Sequence, residues 1–235
     1  MTREESVTTT LATPSMRERF DVRAARPRLP RLLLGLVTFG LGIALMAEAG
    51  LGLGPWEAFH QGIARQTGLA LGTVSILLGI PILALWWPLG ERPGIGTILN
   101  VVLIGTSTNV ALAVLPAPPD DALLIRFAVM LSGVMVIAVG SGLYLSTDLG
   151  PGPRDGLMTG VHHRFGWSIR RSRTLVELSV LALGWLLGGT VGLGTVVFAL
   201  GIGPLVQVTL RWFDPEDRLG RRRRARLEAE GLVGE

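Results

Sequence analysis

Two seven-residue stretches carry most of the chemistry this sequence can offer. Leu51-Gly52-Leu53-Gly54-Pro55-Trp56-Glu57 recurs as Leu149-Gly150-Pro151-Gly152-Pro153-Arg154-Asp155. In both, glycines and a proline precede a carboxylate, a pattern that ends one helix and begins another. Proline suits the first helical turn, and an acid there meets the positive end of the helix dipole. Such an element can simply cap a helix within a loop. It can also be a broken or re-entrant helix whose free N–H groups and carboxylate face a polar cavity inside a membrane. On the second view Pro55, Trp56, Glu57, Pro153, Arg154 and Asp155 are candidates to bind a small solute. Because it occurs twice, the motif belongs to the framework on either view.

Other polar residues sit among apolar ones. Glu177 lies in an apolar stretch one turn past Arg173; it is either an i,i+4 ion pair at the membrane interface or an ionisable group with a role inside the membrane. Asn100 is a further candidate contact. It shares its stretch with Thr106, Ser107, Thr108 and Asn109, and Gln207 lies in a later one; such residues often bond helix to helix. His162-His163 beside Arg164 has no companion ligand cluster at metal-binding spacing, so no metal or cofactor site is expected. All 22 basic residues are Arg, and there is neither Lys nor Cys. That excludes a P-loop, Schiff-base chemistry, Ser/Lys dyads and thiol chemistry. No nucleophile elbow or dinucleotide fingerprint occurs, so the protein is not expected to be an enzyme.

The elements that must position these residues are membrane helices. The chain has 235 residues, 49% hydrophobic and 17% charged, with 32 Gly and a mean hydropathy of +0.49. Soluble chains carry about 25% charged residues; here the charge sits in blocks between apolar runs. Those runs cover about 32 to 53, 66 to 90, 93 to 119, 127 to 147 and 178 to 210. The last is too long for one span of a hydrocarbon core about 30 Å thick. Gly188-Gly189-Thr190-Val191-Gly192 breaks it into helices at about 172 to 188 and 193 to 211. The expected fold is an all-α polytopic membrane protein with about six transmembrane helices. The first run is expected to be retained as a helix although Ala47-Glu48-Ala49 imitates a cleavage site.

The chain is also duplicated. At an offset of 98 residues, eight of the ten glycines in 51 to 115 fall on glycines of 149 to 213. Pro55 falls on Pro153, Glu57 on Asp155 and Thr97 on Thr195. Upstream, an offset larger by two aligns Gly40-x-Gly42 with Gly140-x-Gly142. The expected organisation is a flexible Arg-rich tail over 1–30, a three-helix repeat over 31–115, a second over 126–213 and a basic tail over 214–235. An odd number of spans per unit turns the second upside down relative to the first. With the N-terminus inside, 20 Arg are cytoplasmic and only Arg65 and Arg126 fall outside, in line with the positive-inside rule. Both termini are then cytoplasmic, in the cell inner (plasma) membrane.

The run Gly50 to Glu57, the turn Arg92-Pro93-Gly94-Ile95-Gly96-Thr97 and the run Gly150 to Met158 resemble the bacterial YczE/YitT-type integral membrane proteins. The resemblance covers about residues 31 to 210 and implies a polytopic bacterial inner-membrane protein, with little about activity. Inverted duplication and paired Pro-acid breaks favour a secondary transporter or exporter of a small organic solute. The alternative is a non-transporting scaffold or accessory protein that recruits cytosolic partners through its Arg-rich tails. Expected partners are the lipid bilayer, a small-molecule solute and further copies of the chain. Nucleic acid is not expected, since the Arg residues flank apolar spans.

Overall fold

The structure, a computed structural model, describes residues 20 to 214. The Arg-rich segment up to residue 19 and the basic segment from residue 215, with its Arg221 to Arg224 run, lie outside the described residues. After a single helical turn at Val22–Ala25 come eight longer helices: α1 Leu29–Ala49, α2 Pro55–Thr67, α3 Leu71–Leu89, α4 Ile95–Val114, α5 Leu123–Leu145, α6 Pro153–Phe165, α7 Ile169–Leu186 and α8 Leu193–Phe213. Among the described residues there is no strand. Helices α1, α3, α4, α5 and α8 are long and apolar enough to cross a membrane. Helix α7, expected as a sixth span, begins with Arg170, Arg171 and Arg173 and holds Glu177. It is less apolar than the other five.

Besides its longer helices, each half of the chain holds one of 13 residues, α2 or α6. At about 1.5 Å per residue these reach about 20 Å, too short to span. Hydropathy passes over them because their composition is mixed. Both begin with Gly-Pro, and both end on a glycine in the left-handed region, Gly68 and Gly166.

Helices α1 and α5 form the central seam and run antiparallel. A Cβ on Gly42 would lie 2.6 Å from Ile137 Cγ1 and 2.8 Å from the Gly133 carbonyl; one on Gly140 would lie 2.6 Å from Phe39 N and 2.8 Å from the Gly35 carbonyl. These contacts are reciprocal at 98 residues, which pairs Gly42 with Gly140 and Gly35 with Gly133. One offset therefore holds through the first helix, and the two-residue shift that would align Gly40 with Gly140 does not occur. Gly40 instead faces Ser107 and Ile104 of α4. Glycines alternate with bulky residues along the seam, so a Gly-x-Gly match in sequence can slip by one pair. The seam is closed at both ends in the same way. Arg126 Nε donates to the Ala49 carbonyl at 2.9 Å, and Arg28 Nη1 donates to the Thr147 carbonyl at 3.3 Å. Arginine suits these positions because the last carbonyls of a helix lack intrahelical partners and carry partial negative charge.

The halves also exchange their short helices. Helix α2 packs on α7, with Gly184 against Phe59 and Gly189 against Ala58, while α6 packs on α3, with Gly156 against Trp86 and Gly160 against Leu89. Leu53 N donates to Thr190 O and Gly194 N to Leu51 O, and on the other side Gly96 N donates to Leu149 O. The backbone itself is repeated. Gly52 and Gly150 have φ of 120° and 130°, and Asp148, the one non-glycine with positive φ among the described residues, stands 98 residues after Gly50 with φ 53° against 62°.

Candidate functional site

Gly54 and Gly152 cap the N-termini of α2 and α6, and the acids of the two motifs stand three residues on. Each carboxylate folds back over its own helix start. A Cβ at Gly54 would lie 2.6 Å from Glu57 Oε2, and one at Gly152 would lie 3.3 Å from Asp155 Oδ2. Glycine at the cap is thus what lets the acid reach the positive end of the dipole. Both helix starts face the same space, a cavity of about 500 Å³ lined by residues from all eight helices.

Pro55, Trp56, Glu57, Pro153, Arg154, Asp155, Asn100 and Glu177 all line that cavity. The sequence spreads them over 123 positions; the fold brings them together. Arg154 Nη1 donates to Glu57 Oε1 at 2.5 Å, an ion pair joining the start of α6 to that of α2. The same guanidinium lies 5.3 Å from the centre of the Trp56 ring. Tyr144 Oη donates to Asp155 Oδ2 at 3.2 Å. Asn100 adjoins Gly152, its Nδ2 being 3.4 Å from where a Cβ would stand. Arg173 Nε pairs with Glu177 Oε1 at 2.9 Å, so the i,i+4 ion pair and a place on the cavity hold at once.

Burial divides the site. Glu57, Trp56 and His60 are 3 to 5% exposed, whereas the Arg173 and Glu177 side chains are 53% and 30% exposed and Asp155 is exposed. Trp56 Nε1 and His60 Nε2 are buried without a hydrogen-bond partner, although buried polar atoms in folded proteins nearly always have one.

His60, Tyr144, Ser75, Ser141 and Phe198 also line the cavity and were not anticipated from sequence. His60 carried a signal: it stands one turn after Trp56, on the same helical face. Tyr144 is the single tyrosine of the chain. Of the expected interhelical polar residues, Thr108 bonds to the Gly40 carbonyl and Asn109 to Gly72 N and Thr73. Gln207 lines the cavity. His162 and His163 lie on the last turn of α6, where His163 approaches Glu91 at 3.4 Å. Among the described residues no three His, Cys, Asp or Glu gather as a metal site.

The model of a family of unknown function, DUF6198, matches residues 27–211. The chain belongs to this family. Among members of known sequence, an uncharacterized protein of Haemophilus influenzae is 45% identical over 179 residues, 76% of this chain and 81% of that protein. The uncharacterized membrane protein YczE of Bacillus subtilis is 36% identical over 75% of this chain and 82% of its own. The uncharacterized protein YyaS of the same organism is 27% identical over 74% and 88%. No solved structure matches. The YczE-type resemblance is thereby established, and with its five apolar helices the chain is a helical membrane protein of the DUF6198 family.

Proposed function

We propose that this DUF6198 protein is a secondary transporter or exporter of a small organic solute, which it binds in the central cavity. The observation that carries this is the way the cavity is lined. Nine pairs of lining residues stand 98 positions apart: 39/137, 55/153, 56/154, 57/155, 60/158, 75/173, 79/177, 100/198 and 104/202. A cavity built from equivalent positions of two units, at their junction and with broken helices pointing in, is the arrangement inverted-repeat transporters use. The antiparallel α1–α5 seam supports an inverted relation between units 31–115 and 126–213, with α7 as the sixth, short span. The volume suits a small organic molecule. The Arg asymmetry favours the plasma membrane with both termini in the cytoplasm.

The test is flux of a broad solute panel into proteoliposomes. Flux of at least one solute that depends on the protein is expected; equal flux with and without it, for every solute, overturns transport. Deleting residues 1–28 and 214–235 separates this function from scaffolding, since a transporter keeps its flux and a scaffold loses its partner. The chain lacks cysteine, so single cysteines at Ala64 and Thr159 report sidedness. Labelling of Ala64 alone by an impermeant thiol reagent on intact cells is expected. Labelling of both from one side would sink the inverted arrangement.

A further inference from the structure

The charges and unpartnered atoms of the cavity narrow what it can hold. Three carboxylates line it, Glu57, Asp155 and Glu177, against two guanidiniums, Arg154 and Arg173. Both guanidiniums are engaged, Arg154 by Glu57 and Arg173 by Glu177. Asp155 makes no ion pair among the described residues; its carboxylate is held by the neutral Tyr144 hydroxyl and exposed to the cavity. The helix starts, otherwise places for an anion, are filled by the protein's own Glu57 and Asp155. The uncompensated charge is therefore negative.

A second observation is independent of charge. Trp56 and His60 both line the cavity, and Trp56 Nε1 and His60 Nε2 are buried with no partner. Indole N–H can only donate, so what satisfies Trp56 must bring an acceptor. Beside Ser75, Asn100, Ser141 and Gln207, the wall carries aromatic rings, with Phe39 packed edge-on against Tyr144 at 6.3 Å, a surface that accepts the body of an organic cation.

We infer that the cavity takes an organic ammonium compound carrying an oxygen acceptor, with its cation on Asp155 and its acceptor on the Trp56 indole N–H. This rests on the cavity being a solute site and names the class of solute. Asp155 and Trp56 are the binding residues, and Tyr144 positions the Asp155 carboxylate.

Calorimetric titration of the full chain in zwitterionic-lipid nanodiscs tests it. The probes are tyramine, phenethylamine, which lacks the hydroxyl, tyrosol, which lacks the cation, 3-(4-hydroxyphenyl)propionate and sodium chloride. Tyramine is expected to bind at least about tenfold tighter than tyrosol or the propionate. Asp155→Asn should erase that preference and Asp155→Glu largely keep it, while Asp120→Asn, in the α4–α5 loop, changes nothing. Trp56→Phe should weaken tyramine about five- to tenfold and leave phenethylamine unchanged. Should Asp155→Asn fail to fold, the Trp56→Phe contrast and the Asp155→Glu rescue still decide. Binding by neither amine, tighter binding of the propionate, or no effect of Trp56→Phe on tyramine overturns the inference. So does Asp155-dependent binding of sodium that displaces tyramine, which would make this an inorganic cation site. Amine binding without flux would sink transport and leave the ligand class standing; flux of an anion through the cavity would do the reverse.

Discussion

The two sides of the cavity are built at the same positions and carry different chemistry. The first unit contributes Trp56, His60, Ser75, Gly79 and Asn100; the second places Arg154, Met158, Arg173, Glu177 and Phe198 at the equivalent sites. Only the prolines, the acids and Ile104/Ile202 agree in kind. The shared residues are those the framework needs: a proline for the first helical turn, an acid over the dipole, an aliphatic chain for packing. The residues that differ are those whose chemistry a solute would meet. Matching positions thus point side chains into one cavity, and where they differ in kind one side carries only neutral residues while the other carries two arginines and a glutamate.

Glu57 and Asp155 sharpen this contrast most. They are equivalent by sequence, yet Glu57 is buried in an ion pair and Asp155 is an exposed acceptor of one hydroxyl. Removing one partner of a buried pair leaves an uncompensated charge or an idle donor, at about 3–5 kcal/mol. Arg154 is a quarter exposed, which places Arg154→Met near the low end, about 3 kcal/mol. Denaturation in detergent should show that loss, and Glu57→Gln combined with Arg154→Met should recover more than half of it. Asp155→Asn should cost about 1 kcal/mol or less, since the amide oxygen still accepts from Tyr144 and only the charge assistance of that bond is lost. If Asp155→Asn costs as much as Arg154→Met, the two acids are equally structural and the asymmetry is superficial.

Much of this could be read from the sequence because its causes are local. Long apolar runs and glycine breaks marked the long helices, and the doubled Gly-Pro-acid motif marked six of the eight candidate residues that line the cavity. The short helices α2 and α6 were seen as helix starts but not as elements, since 13 residues of mixed polarity carry no hydropathy signal. Their exchange between halves was illegible for another reason. It depends on which glycine admits which neighbour, as Gly184 does Phe59 and Gly156 does Trp86. His60 is hidden by the mixed polarity of α2, and Tyr144 is an ordinary residue at the end of an apolar helix until the fold gives it Asp155 as a neighbour.

The exchanged packing offers a second, smaller test. Trp86 and Gly184 are equivalent, as are Gly156 and Ala58. Where the first unit has the large residue on its long helix, the second has none on its short one. A Cβ on Gly156 would lie 2.0 Å from Trp86 Cζ2, and Trp86 is 1% exposed, its Nε1 bonded to the Pro153 carbonyl at 3.0 Å. Overpacking of this kind costs about 1–3 kcal/mol. Gly156→Ala should fall in that range by thermal unfolding, and Trp86→Phe in the same chain should recover part of it. Ala58→Gly, at the equivalent and fully buried position, removes a methyl without creating a clash and should cost about 1 kcal/mol, chiefly the helix-propensity difference.

The smallest effect falls where the halves agree. Arg28 and Arg126 cap the opposite ends of the α1–α5 seam at equivalent carbonyls, Thr147 and Ala49. A cation at a helix C-terminus contributes about 0.3–1 kcal/mol. Arg28→Ala and Arg126→Ala should each fall in that range, with Arg126 the larger because it also donates to the Asp120 carbonyl. Sites at opposite ends of a helix pair share no partner, so their costs should add. Additive, similar losses in unfolding midpoint would mark the seam as the symmetric part of the molecule. A double variant far worse than the sum would mean that the seam opens as one cooperative unit when both caps are gone. The difference between the cavity's two sides would then ride on a hinge, not on a fixed frame.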